Sequence, residues 1–167
     1  MSEGSYQYQA KVLTVSDGVA AGTRVDSGGA GLVDRLRSEN VEVIEHRVVS
    51  DVIEDISNAL SYMAYGFNGL IVTTGGTGFG PRDLTPEATK RVLDRNAPGF
   101  AEAMRAVSPL GRLSRNVAGI RGEALLLNVA GSPKGAVEML EAVIDVVPHA
   151  IELMSGGGSD RHPTDAG

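Results

Sequence analysis

Apolar positions along this chain follow two rhythms. Residues 11–15, 41–49, 69–74 and 123–128 are short runs rich in Val, Leu and Ile, of strand length. Between them, apolar residues recur at helical spacing. Leu32, Val33 and Leu36 fit one helical face in a polar segment ending near Asn40. Ile53, Ile56, Leu60 and Met63 recur at steps of three, four and three, the pattern of an amphipathic helix. The stretch from Ser16 to Gly31 is rich in Gly, Ala, Ser and Asp and reads as a loop. Thr85-Pro86-Glu87 reads as a helix start: Thr85 as N-cap, Pro86 at the first helical position, Glu87 at the positive end. That helix is expected to run to about Arg95, and a shorter one over 98–107. Residues 108–122 look irregular. A long helix then follows Pro133 through Val137, Leu140 and Ile144, and Pro148 begins or kinks the last one.

Strands alternating with helices predict an α/β fold, a mostly parallel sheet with helices on both faces. In such sheets ligands bind beyond the carboxyl ends of the strands. Four strand ends carry suggestive residues: Ser16-Asp17-Gly18, Asp51, the run from Gly75 to Asp83, and Gly131-Ser132. The 167 residues suit one domain, expected over 1–155, and the polar segment 156–167 is expected to be a flexible tail.

Composition narrows the chemistry. With no cysteine, disulfides, thiolate metal sites and a thiol nucleophile are excluded. His46, His149 and His162 lack ligand spacing, which argues against a zinc site. A net charge of −6 with no basic block argues against a nucleic-acid groove. The apolar runs are too short to span a bilayer, and the start does not resemble a signal peptide, so the expected compartment is the cytoplasm.

The densest signal is Thr73-Thr-Gly-Gly-Thr-Gly-Phe-Gly-Pro-Arg-Asp83. Glycines 75, 76, 78 and 80 remove Cβ atoms, so backbone N–H groups can approach a phosphate. This is not a Walker loop, because Pro81 and Arg82 stand where Lys and Ser/Thr belong. Nor is it the dinucleotide fingerprint, since Pro81 replaces the last glycine. Asp83 can be a turn former or a metal-binding carboxylate. Asp51 can cap the helix behind it or face a pocket. Two carboxylates beside a phosphate loop meet the preference of magnesium for one or two carboxylates plus phosphate oxygens and water. Ser132-Pro133 can be a plain N-cap or an anion-binding helix start. Arg112, Arg115 and Arg121 can be surface charge or a clamp on an acidic ligand.

The run over 73–89 resembles the signature of the molybdenum-cofactor biosynthesis family that includes Mog, MoaB and the G domains of gephyrin. Leu13-Thr-Val-Ser-Asp17, Ala97-Pro-Gly-Phe100, Ser108-Pro-Leu-Gly-Arg-Leu-Ser-Arg115, Gly119-Ile-Arg-Gly122 and Leu127-Asn-Val-Ala-Gly-Ser-Pro133 are similar to the rest of the family pattern. The resemblance implies a molybdopterin-binding fold, usually a homotrimer. It implies transfer of AMP from ATP to the molybdopterin phosphate with Mg²⁺ present, before a downstream protein inserts molybdenum. It implies catalytic and metal-binding roles for Asp51 and Asp83, and substrate or nucleotide contacts at Ser16, Asp17, Gly75, Gly76, Thr77, Gly78, Gly131 and Ser132. Two positions depart from the family pattern. Asp26-Ser-Gly-Gly29 replaces Asp-x-Ser-Gly, and Ala130 precedes Gly131 where proline is usual. A different class of function, a molybdopterin carrier or scaffold without catalysis, stays open, as does a dinucleotide-binding oxidoreductase.

Overall fold

The computed structural model describes residues 4–157. Six strands, β1 (Gln9–Val15), β2 (Glu42–Val49), β3 (Gly69–Thr74), β4 (Arg95–Asn96), β5 (Ala118–Arg121) and β6 (Ala124–Val129), form one sheet in the order β2-β1-β3-β6-β5-β4. The first three strands and β6 are mutually parallel, while β5 runs antiparallel to β6 and β4 antiparallel to β5. The helices are α1 (Asp17–Ala20), α2 (Ser27–Ser38), α3 (Ile53–Ala64), α4 (Thr85–Val92), α5 (Pro98–Arg105), α6 (Pro133–Glu141) and α7 (Val147–Met154), with a 3-10 turn at Pro109–Leu113.

Strand alternation sends neighbouring side chains to opposite faces, and both faces are covered. Leu70, Val72, Leu125, Leu127 and Val129 pack with Leu32, Leu36, Met104, Leu140 and Ile151 from α2, α5, α6 and α7. Ile71, Ala124 and Leu126 pack on the other face with Ile56, Leu60, Met63, Ala88 and Val92 from α3 and α4. All six residues of β3 and all six of β6 are buried. Truncating the fully buried Leu126 to alanine is expected to cost about 2–5 kcal/mol.

The helix after β1 lies on one face and the helix after β3 on the other. The chain therefore changes direction between these neighbouring strands, and a crevice opens at their carboxyl ends. Here the backbones meet closely. A Cβ on Gly75 would stand 2.3 Å from the Val15 carbonyl oxygen, and Gly75 has φ +100°. Glycine is required on both counts.

Several boundaries differ from the sequence expectation. The loop reading of the whole segment before Gly31 is wrong. A short α1 follows β1, and α2 starts at Ser27, capped by Asp26 Oδ1, which accepts the Gly29 N–H at 2.9 Å. Thr85 is not the N-cap of α4: the cap is Leu84, and the Thr85 hydroxyl instead donates to the Gly75 carbonyl at 2.8 Å. This helix stops at Val92, because the chain turns there to form β4. The segment 108–122 is not simply irregular, since it contains the 3-10 turn and β5. The helix after Pro133 ends at Glu141, short of Ile144. Pro148 lies in the first turn of α7 and begins that helix rather than kinking it. Of the expected tail, residues 158–167, including His162, lie outside the described residues.

Candidate functional site

The carboxyl ends of the parallel strands open into a cleft with two lobes. The larger, about 540 Å³, runs from Gly76, Thr77 and Gly78 to Ser132 and Gly135, with an apolar rim of Val107, Leu110, Leu113 and Met139. The smaller, about 240 Å³, is polar and lined by Ser16, Arg24, Asp26, Asp51 and Gly75 among others. Gly76, Asp83 and Gly131 line both, and so form the waist where the lobes join.

The glycine loop is shaped by its neighbours. Gly75 and Gly76 both have positive φ. A Cβ on Gly76 would meet the Thr85 hydroxyl oxygen at 2.4 Å and Asp51 Oδ1 at 3.3 Å. The Thr85 N–H donates to the Gly76 carbonyl at 3.0 Å, so α4 begins by tying down the loop. Beyond the turn, the Gly80 N–H donates to Asp83 Oδ2 at 2.8 Å. Asp83 is therefore a turn former that also lines both lobes. Among the described residues the amides of Gly76, Thr77 and Gly78 donate to no protein acceptor, which leaves them available to an anion.

Arg115 secures this loop from the opposite side. Its guanidinium donates to the Gly78 carbonyl at 2.7 Å and the Asp83 carbonyl at 2.6 Å, and it pairs with Glu87. Arg115 is thus a structural clamp and not a ligand clamp. The same guanidinium holds the Glu87 carboxyl below the usual glutamate range. Arg121 donates to the Val92 carbonyl, away from the cleft, and Arg112 is exposed on the 3-10 turn. None of Arg112, Arg115 and Arg121 lines either lobe, so the alternative reading of a clamp on an acidic ligand gains no support from their placement.

Asp51 does not cap α3, whose N-cap is Val52 without a side-chain bond. Instead, Asp51 Oδ2 accepts the Asp17 N–H at 2.8 Å, while Asp17 Oδ1 accepts the Asp51 N–H at 3.0 Å. Burial raises the Asp51 pKa, and the Asp17 and Asp83 carboxylates add to that; the Asp17 amide and Arg82 act the other way. Asp17 lines neither lobe. Its carboxylate receives a two-pronged contact from Arg82, which holds its pKa below the usual aspartate range.

Seven of the eight expected contact residues therefore line the cleft, Asp17 being the exception, and both expected catalytic aspartates join them. Ser132 caps α6, its Oγ accepting the Gly135 N–H at 3.2 Å, and also lines the larger lobe. Ser16 caps α1 in the same manner and lines the smaller one. The altered first-loop motif has a packing reason. A Cβ on Gly28 would lie 2.9 Å from the Gly131 carbonyl oxygen, and one on Gly29 would lie 2.4 Å from the Thr14 hydroxyl oxygen. Ala130, in place of proline, donates its N–H to Met139 Sδ at 3.3 Å and accepts the Thr74 hydroxyl at 2.7 Å. His46 is engaged by Asp26 and Thr14, and no group of three or more His, Asp or Glu side chains that could hold a metal occurs among the described residues.

The chain as a whole has known counterparts. A family model described as a probable molybdopterin binding domain matches residues 11–149. The chain belongs to that family. Among its relatives, the molybdopterin adenylyltransferase of Helicobacter pylori strain J99 is 39% identical over 152 residues, covering 87% of this chain and 86% of that protein. The molybdopterin adenylyltransferase of Escherichia coli K12 is 37% identical over 164 residues, covering 87% and 84%. Among solved structures, the molybdopterin biosynthesis enzyme MoaB of Thermus thermophilus superposes with a TM-score of 0.84 at 46% identity, covering 89% of this chain and 96% of that one. The fold expected from the sequence is the fold of these family members.

Proposed function

We propose that this protein is a molybdopterin adenylyltransferase, moving AMP from ATP to the terminal phosphate of molybdopterin. The observation that carries the reading is the waist of the cleft. Two lobes meet at Gly76, Asp83 and Gly131, with Asp51 lining the smaller lobe beside it. Two substrates seated in the two lobes would bring their phosphates together there. A pterin phosphate oxygen would attack the α-phosphorus of ATP. The new O–P bond forms as the bond to the β-phosphate oxygen breaks, and pyrophosphate leaves. The nucleophile is already an anion, so no strong general base is needed. The protein's part is in-line positioning and charge stabilisation. The free amides of Gly76, Thr77 and Gly78 would hold phosphate oxygens.

Asp83 at the waist and Asp51 beside it fit Mg²⁺. Asp51 Oδ1 and Asp83 Oδ1 accept no hydrogen bond from the described residues, and each belongs to a residue lining the cleft. Two carboxylates with phosphate oxygens and waters match the magnesium donor set. When bound, the ion would supply neutralisation of phosphate charge. The same reading places the protein in the cytoplasm as a homotrimer that passes its product to a molybdenum-inserting protein. It is supported on that side by the family resemblance, and no described helix is long and apolar enough to cross a membrane.

The test is release of pyrophosphate from ATP, molybdopterin and magnesium by the purified protein, with sedimentation to measure its assembly. The rival reading, a molybdopterin carrier without catalysis, is separated by the same test. It predicts saturable molybdopterin binding with no pyrophosphate formed.

A further inference from the structure

We infer that Arg82 is a positioning residue for Asp51, acting through Asp17 as a latch that joins three chain segments behind the smaller lobe. The inference rests on the adenylyltransferase reading only for the reaction that the latch serves. Arg82 belongs to the end of the glycine loop, Asp17 to the first turn of α1 after β1, and Asp51 to the loop after β2. Arg82 Nε donates to Asp17 Oδ2 at 2.6 Å, and Nη2 donates to Asp17 Oδ1 at 3.0 Å and to the Asp51 carbonyl at 3.3 Å. Both Asp17 oxygens are therefore engaged, Oδ1 also accepting the Asp51 N–H. Asp51 returns the contact through Oδ2, so that each aspartate accepts the other's amide.

The consequence falls on the one oxygen that remains. With Oδ2 fixed on the Asp17 amide, Asp51 Oδ1 is directed to the glycine loop, 3.3 Å from where a Gly76 Cβ would stand. Two carboxylates this close repel unless a cation stands with them. Arg82 supplies the charge, and its planar fork fixes the Asp17 orientation in a way a lysine cannot. The side chains of Arg82 and Asp17 are 61% and 45% exposed. An ion pair so open to water contributes little to global stability. The latch is thus expected to show in the site and not in the melting temperature.

The test uses Arg82→Ala, Arg82→Lys, Asp17→Asn and the Arg82→Ala/Asp17→Asn double variant. Exchange of the Asp17 and Asp51 amides, followed by NMR without ligands, should quicken in Arg82→Ala while Tm stays close to wild type. The Mg²⁺ concentration giving half-maximal pyrophosphate release should rise about tenfold, as for other residues that orient metal ligands, with a smaller change in kcat at saturating Mg²⁺. Arg82→Lys should recover part of this loss, and the double variant should be no worse than the poorer single one. Unchanged amide exchange in Arg82→Ala, or losses that multiply in the double variant, would overturn the latch. If the wild type releases no pyrophosphate, the adenylyltransferase reading fails, while amide exchange still decides whether the latch exists.

Discussion

The two sides of the sheet contribute to the cleft by different routes. The parallel strands β1, β2, β3 and β6 all finish at the same edge, and the loops that leave them carry Ser16, Asp51, the glycine loop and Ser132. On the other side, β5 is antiparallel to β6, and Ala118 at its start pairs with Leu127 near the end of β6. The chain therefore reaches the site edge before β5 begins. That entering segment contributes Val107, Leu110 and Leu113 to the rim of the larger lobe and Arg115 to the glycine loop. Looking only where parallel strands end finds the polar, acidic half of the cleft. Much of the apolar wall comes from the segment that leads into a strand running backwards.

The largest test of this division is Asp83→Asn. Removing one charge at the waist, where the parallel strands deliver their loops, should lower turnover by roughly 10²-fold or more. The fold should survive, and circular dichroism and pyrophosphate release would report the two results separately. Full activity in a folded variant would remove Asp83 from the chemistry.

Arg115→Ala attacks the link between the two sides. It leaves the Gly78 and Asp83 carbonyls without their donor, and should cost about 1–3 kcal/mol in urea unfolding. The same clamp predicts a pH effect. Arg115 depresses the folded-state pKa of Glu87, so their pairing stabilises fully above the ordinary glutamate pKa. The contribution is lost as pH falls from there through the depressed folded value. The stability gap between wild type and Arg115→Ala should narrow from neutral to acid pH without closing, because the contacts to the two carbonyls do not titrate. A gap that widened on acidification would contradict the pairing.

Leu110→Ala should give the smallest effect. The side chain is 73% exposed in the free protein, so its loss should leave stability nearly unchanged. It should raise the KM of whichever substrate fills the larger lobe by about fivefold, from lost apolar contact. Varying each substrate in turn is informative, because an equal rise for both would mean that the lobes do not hold them separately.

The legible parts of the molecule were those with a strong local pattern. The buried strands β3 and β6 read directly as apolar runs, and the three steps from Ile53 to Met63 mark α3. The start of α2 was hidden, since Gly28 and Gly29 are poor helix formers. They occur there because the Gly131 carbonyl and the Thr14 hydroxyl leave no room for a Cβ, a long-range demand with no local signal. Two-residue β4 and four-residue β5 are too short to establish a period. Asp51 and Asp83 were found from sequence as candidates for one pocket, and the fold brings both to the cleft. Asp17 was expected on the lining, yet it faces Arg82, a partner 65 residues away. Arg115 reads from sequence as surface charge or a ligand clamp, but its partners are Glu87 and two backbone carbonyls, and the carbonyls are not advertised by sequence.

The waist itself suggests a route to inhibitors. Two of its three residues, Gly76 and Gly131, place no side chain between the lobes, so the Asp83 carboxylate is the one side chain at the waist that a linker must pass. A bisubstrate compound that tethers an adenosine group to a pterin-like ring through a short non-hydrolysable phosphonate would engage both compartments at once. Its second attachment would gain from high effective concentration, provided the tether matches the span.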